Sequence, residues 1–190
     1  MMGFAGVVSS GLQAALLLAR GRADGLGLVG EDRGAALRSF WAMGFCVPAV
    51  IALRVMVWLG GKLPADAAHV MARDLMVYAV ATLGFAVVSF QLMPMLGKQK
   101  QWPRFIAAWN WCNVIENTLV VLGAVPGLLG APPIVDEAAQ LITMGWALWI
   151  EWYAIRVSLS VSPLVAAWLL VVDETVGLVV ASIGAGLGGG

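Results

Sequence analysis

The side chains able to do chemistry in this chain stand inside long apolar segments. In WNWCNVIENTLV, residues 109 to 120, Asn110, Asn113, Glu116 and Asn117 fall within about two turns of a helix. Glu151 interrupts ALWIEWYAI and Asp173 interrupts LVVDETVGL. Arg54 and Asp74 lie in two further apolar runs. Carboxyls and amides away from water do one of two things. They hydrogen-bond neighbouring helices together, or they line a wet space that holds a proton or a cation. Other chemistry finds little support. His69 has no Ser or Cys nucleophile at a useful spacing, and Cys46 and Cys112 form no CxxC or Cys/His pattern, so no metal, disulfide or catalytic set is expected. The Gly-rich GAGLGGG follows an apolar helix and ends the sequence, so it is no phosphate loop. The chain is read as non-enzymatic and without a cofactor.

What must position these residues follows from composition. Of 190 residues, 61% are hydrophobic and 12% charged, with net charge zero. Mean hydropathy is +0.90. So few charges cannot clothe a water-soluble surface, and lipid is the solvent for most of the chain. A neutral balance gives no reason to expect nucleic acid as a partner. The expected partners are membrane lipid and other membrane proteins or further copies of this chain. Nine Trp suit membrane interfaces and lipid-facing positions. A cleavable signal of the usual form is not expected, because the Arg residues follow the first apolar run.

Five segments are apolar enough to span: 37–59, 68–96, 105–125, 134–159 and 164–183. Gly60-Gly61 with Pro64, Gly97 with Pro103, Pro126-Gly127 with Pro132-Pro133, and Ser162-Pro163 punctuate them. Residues 7 to 20 place Ser9, Gln13 and Arg20 near one side and Val8, Leu12 and Leu16 on the other. That pattern predicts an interfacial amphipathic helix, with a sixth span as the competing reading. The fold class is thus all-α: a polytopic transmembrane helix bundle of five spans plus an N-terminal interfacial helix. The organisation is 1–36 cytoplasmic N-terminal region, 37–185 transmembrane domain and 186–190 Gly-rich tail. Arg20, Arg22, Arg33, Arg38, Lys98, Lys100, Arg104 and Arg156 collect on one side, against Lys62 on the other. The N-terminus is therefore expected in the cytoplasm and the C-terminus outside.

Helical rise puts Glu116, Glu151 and Asp173 at about 10 to 18 Å from the cytoplasmic side, so three carboxyls share a layer and cannot all ionise. Glu174 lies about 100° round from Asp173. In the fourth span Gln140, Ala147, Glu151, Ala154 and Ser158 form an inward face, and Arg156 pairs imperfectly with Glu151. Arg54 and Asp74 have comparable depths in adjoining spans and are expected to form a hairpin ion pair.

In LLLARGRADGLGLV, LRSFWAM and WPRFIAAWNW the chain resembles the bacterial relatives of the Yip family, five-span proteins with a cytoplasmic N-terminal region. The resemblance implies a five-span bacterial inner-membrane protein and leaves its activity open. The amphipathic N-terminal helix, the small-residue helix faces and the absence of catalytic chemistry point to a protein acting by association, as a scaffold, accessory subunit or Yip-like membrane organiser. The alternative function is a small proton- or cation-coupled transporter or channel, with Asn110, Asn113, Glu116, Asn117, Glu151 and Asp173 as its polar cluster.

Overall fold

A computed structural model describes residues 3–61 and 63–187. Lys62, the basic residue of the sparsely charged side, and residues 188–190 of the Gly-rich tail lie outside the described residues. The described chain is 85% helix with no strand. Seven α-helices run α1 Phe4–Leu18, α2 Arg33–Ser39, α3 Trp41–Leu59, α4 Ala67–Leu96, α5 Trp102–Leu128, α6 Pro133–Leu159 and α7 Pro163–Leu187, with a 3-10 turn at Ala23–Leu28.

Each boundary has a local cause. The Asp32 carboxylate accepts the Ala35 amide at 2.7 Å and caps α2, and Asp66 accepts the His69 amide at 3.1 Å to cap α4. Gly97 closes α4 at φ 65°, a left-handed conformation that costs glycine little. Proline opens α6 and α7, where its missing amide hydrogen would be unpaired anyway. Ser160 ends α6 at φ 50°, the single non-glycine residue with positive φ among the described residues.

Four segments are long and apolar enough to cross a membrane: Arg33–Leu59, which joins α2 to α3, Ala67–Leu96, Trp102–Leu128 and Pro163–Gly186. By length and composition the chain is a membrane-embedded helix bundle. Helix α6 has 27 residues but is not among the four. Gln140, Glu151 and the WALWIEWY run dilute its apolarity.

Helix α5 is the hub. It packs most extensively on α6 and also on α3, α1 and α2, while α7 packs on α4 and α6. Every residue from Phe105 to Cys112 is buried. A helix enclosed all round has no polar face to spare. Trp109 and Trp111 project to opposite sides, being about 200° apart. Trp111 enters a cluster with Ala14, Leu18, Ala108, Ile150 and Ala154. Trp109 enters another with Phe85, Phe105, Ile155 and Leu169. These two tryptophans are thus interior packing groups, unlike the lipid-facing role expected for the Trp residues as a set.

The segment before residue 37 is not set apart from the bundle. Helix α1 touches α2, α3, α5 and α6. Phe4 meets Trp41 edge-on at 5.3 Å. Gly11 lies under the Trp111 ring, where an added Cβ would come within 2.2 Å. At its end the Ala19 and Gly21 carbonyls accept from Trp146 Nε1 at 3.2 Å and Tyr153 Oη at 2.7 Å. Trp111 is about 14 Å into α5, and Trp146 and Tyr153 are about 20 and 9 Å from the end of α6, by rise per residue. The contacts of this segment thus run from α3 through α5 to α6. Gly11, Ala14, Ala15 and Leu18 form its buried side, with Ser9, Gln13, Leu16 and Arg20 exposed.

Candidate functional site: an acidic cavity between four helices

A cavity of about 400 Å³ opens between α4, α5, α6 and α7. Tyr78, Ala81 and Thr82 line it from α4, and Trp109, Asn113, Glu116 and Asn117 from α5. Glu151 enters from α6, and Asp173, Glu174 and Gly177 from α7. Four carboxyls therefore face one space, and no Lys or Arg is among its lining residues. With liquid water occupying about 30 Å³ per molecule, the volume suits roughly a dozen waters or a hydrated small cation.

Local structure explains the directions. Glu116 follows Asn113 by three residues and precedes Asn117 by one, so all three share the side of α5 turned to α4 and α7. The Asn113 amide donates to Trp109 O at 3.2 Å, and the Asn117 amide donates to Asn113 O at 2.8 Å. Each amide nitrogen thus returns to its own helix, leaving the amide oxygens for the cavity. Trp109 Nε1 donates to Asp173 Oδ2 at 2.9 Å and ties α5 to α7. Glu116 Oε1 and Glu151 Oε1 are buried without a hydrogen-bond partner, and the Glu151 residue is only 4% exposed. A buried carboxyl oxygen without a donor is costly, and a proton, water or cation in the cavity would offset that cost.

Of the sequence-derived cluster, Asn113, Glu116, Asn117, Glu151 and Asp173 meet in this cavity. Asn110 does not. It is 1% exposed and donates to Ser39 Oγ at 2.8 Å, where α2 gives way to α3. It sits nearly two turns nearer the basic end than Asn117 and meets α2 instead of the cavity. Arg156 does not reach Glu151 either. Its guanidinium lies 5.4 Å over the Trp152 ring. A separation of five residues turns it about 140° away from Glu151. Gln140 donates to Asp136 at 3.0 Å and lines a separate space between α3, α5 and α6, not the acidic cavity. Tyr78, Thr82 and Trp109 were not singled out from the sequence as lining residues. The signal for Tyr78 is its place one turn after Asp74, on the same face as Ala81.

A second polar pocket, of about 480 Å³, lies beyond Tyr78 toward the other end of the bundle. Here Arg54 Nε donates to Asp74 Oδ2, and Arg73 Nη2 approaches Asp74 Oδ1 at 3.4 Å. Tyr78 lines both spaces and donates to Met43 O at 3.3 Å. At the basic end, Arg104 bonds Glu31 at 2.6 Å and Lys98 donates to Ser160 O at 3.1 Å. Cys46 and Cys112 are both buried free thiols. Among the described residues, no group of three His, Cys, Asp or Glu is placed to share a metal ion.

Comparison with known proteins gives no matching family model, no matching curated protein and no matching solved structure.

Proposed function

We propose that the protein is a five-span membrane protein that binds a proton or small hydrated cation in the acidic cavity and passes it through the bundle. One observation carries this reading: Glu116, Glu151, Asp173 and Glu174, from three helices, face one space with no basic residue in its lining. Ionisable groups at membrane depth are expensive, and a cluster of one sign is more so. A bundle built only for cohesion would pair each carboxyl, as happens at Asp74. The absence of a three-ligand metal geometry among the described residues favours a proton or a hydrated ion over a tightly coordinated metal.

In this reading α6 is the fifth span, its Glu151 tolerated because it faces the cavity. The end holding Arg33, Arg38, Lys98, Lys100, Arg104 and Arg156 is cytoplasmic. Helix α1 is the interfacial helix of this reading, its exposed side carrying Ser9, Gln13 and Arg20. The location is the bacterial inner membrane, with a Yip-like layout. The test is flux in proteoliposomes under an imposed pH or cation gradient. Glu116→Gln lowers flux by about tenfold or more, the factor that ~1.4 kcal/mol of lost interaction produces. Wild-type flux equal to that of empty liposomes would overturn the reading.

A second reading, action by association, is favoured by α6. Its half before Trp149 is largely exposed, Glu137 and Gln140 included, and Gly145 has open space beside it. Two polar side chains on an otherwise apolar exposed face, which carries Ile134, Leu141, Ile142 and Met144, are better met by a protein partner than by lipid. Gly145→Trp would then abolish an oligomer or complex captured by cross-linking in membranes. An unchanged cross-linking pattern removes this reading.

A further inference from the structure

The pocket around Arg54 has an unbalanced charge that the cavity proposal does not use. One carboxylate, Asp74, faces two guanidiniums. Their side chains are 32% and 29% exposed, so neither is fully solvated. Each guanidinium carries five N–H donors in a fork that matches a phosphate or carboxylate. Arg54 commits Nε to Asp74 and Arg73 commits one weak Nη2 contact. Most of the donors remain free, and the local net charge is +1.

Depth indicates what could use them. Arg54 is five residues from the end of α3 and Arg73 six residues from the start of α4. By rise per residue both lie about 8 to 9 Å below the helix ends. The polar zone on each side of a bilayer is roughly 5 to 8 Å thick. The guanidiniums therefore sit where the glycerol and phosphate of a lipid meet its chains. Below them the pocket walls turn apolar, with Val50, Leu53 and Val77 among them. On the α7 side the small Ala181 and Ala185 border the pocket, and Gly184 packs closely on Val77.

We propose that this pocket binds one anionic phospholipid of the outer leaflet, its phosphate held by Arg54 and Arg73 and one acyl chain lying against the valine and leucine wall. The apolar continuation assigns the phosphate to a lipid and not to free anion. Asp74 is a positioning residue: it fixes the Arg54 fork and lowers the pocket charge from two to one. The site is independent of any flux through the acidic cavity.

The test uses the full chain in detergent, with native mass spectrometry against phosphatidylglycerol and phosphatidylcholine of equal chain length. The expected result is one retained phosphatidylglycerol, preferred by about tenfold, which is ~1.4 kcal/mol. Arg73→Gln brings retention down to the phosphatidylcholine level while melting of the lipid-free protein stays unchanged. Arg54→Lys keeps the charge but loses the fork, and lowers the preference with the fold intact. It serves as the deciding variant should Arg73→Gln fail to fold. Equal retention of both lipids, or variants that retain phosphatidylglycerol as the wild type does, would overturn the site. Displacement of the lipid by millimolar inorganic phosphate would overturn the lipid assignment.

Discussion

Two polar regions sit beside each other along α4 and α7, and they are satisfied in opposite ways. Around Asp74 one carboxylate meets two guanidiniums. Around Glu116 four carboxyls meet amides, hydroxyls and an indole but no cation from the protein. The same helices build both, and Tyr78 lines both. Where a charge is neutralised from within, removing its partner should cost stability. Where it is left open, removing the charge should cost activity and little stability. The contrast separates holding from binding better than either region alone.

The largest expected effect comes from breaking the satisfied side. Asp74→Ala leaves Arg54 and Arg73 without their carboxylate and should destabilise the bundle by about 3 kcal/mol, the low end for a broken buried pair because these groups are partly exposed. Thermal melting in detergent reads this, and a loss below about 0.5 kcal/mol would show that lipid or water already satisfies the arginines. Next comes overpacking beneath α1. Gly11→Leu places atoms where the Trp111 ring lies and should cost about 1 to 3 kcal/mol. Its effect should add to that of Asp74→Ala, since no shared partner connects them.

A smaller effect sharpens the comparison. Glu151→Gln removes a carboxyl whose Oε1 has no partner, so the melting temperature should hold or rise while proton or cation flux falls. A marked fall in melting temperature would instead make Glu151 part of the scaffold. Tyr78→Phe deletes the bond to Met43 O at about 1 kcal/mol. If Tyr78 divides the two spaces, Tyr78→Ala should make the Asp74 and Glu116 substitutions non-additive in a double-mutant cycle.

The smallest effect is at Asp24, which is bonded to Arg22 at 2.6 Å on the surface. The hydrogen bond from Arg22 holds the Asp24 carboxyl below its ordinary value. A depressed carboxyl contributes stability above its unfolded value, and that contribution fades as pH falls through the folded one. Because the pair is fully exposed, Asp24→Asn should leave melting unchanged between neutral and mildly acidic pH.

The helices and their breaks were largely legible, because Pro, Gly and capping Asp act through local backbone chemistry that sequence records directly. The cavity was partly legible, since helical rise alone puts Glu116, Glu151 and Asp173 in one layer. What failed needed knowledge of neighbours. Asn110 shares the stripe of Asn117, yet it lies at a height where Ser39 is the nearest partner. Gln140 shares the face of Glu151, yet α7 packs beside only part of α6. Trp109 and Trp111 resemble interface anchors by type, but α5 is enclosed on every side at their level. Periodicity gives the direction a side chain leaves its helix, and tertiary packing decides what it meets there.

Helix α1 carries a consequence for the order of events during synthesis. Its end is held by Trp146 and Tyr153, which lie 127 and 132 positions later in the chain. At about 5–20 residues per second, those partners arrive roughly 6 to 26 seconds after Ala19 and Gly21 are made. Helix α1 can therefore meet α3 and α5 early, while the clasp at its end forms only once α6 is made. A ribosome stalled before residue 146 would hold a chain whose first helix still lacks its clasp.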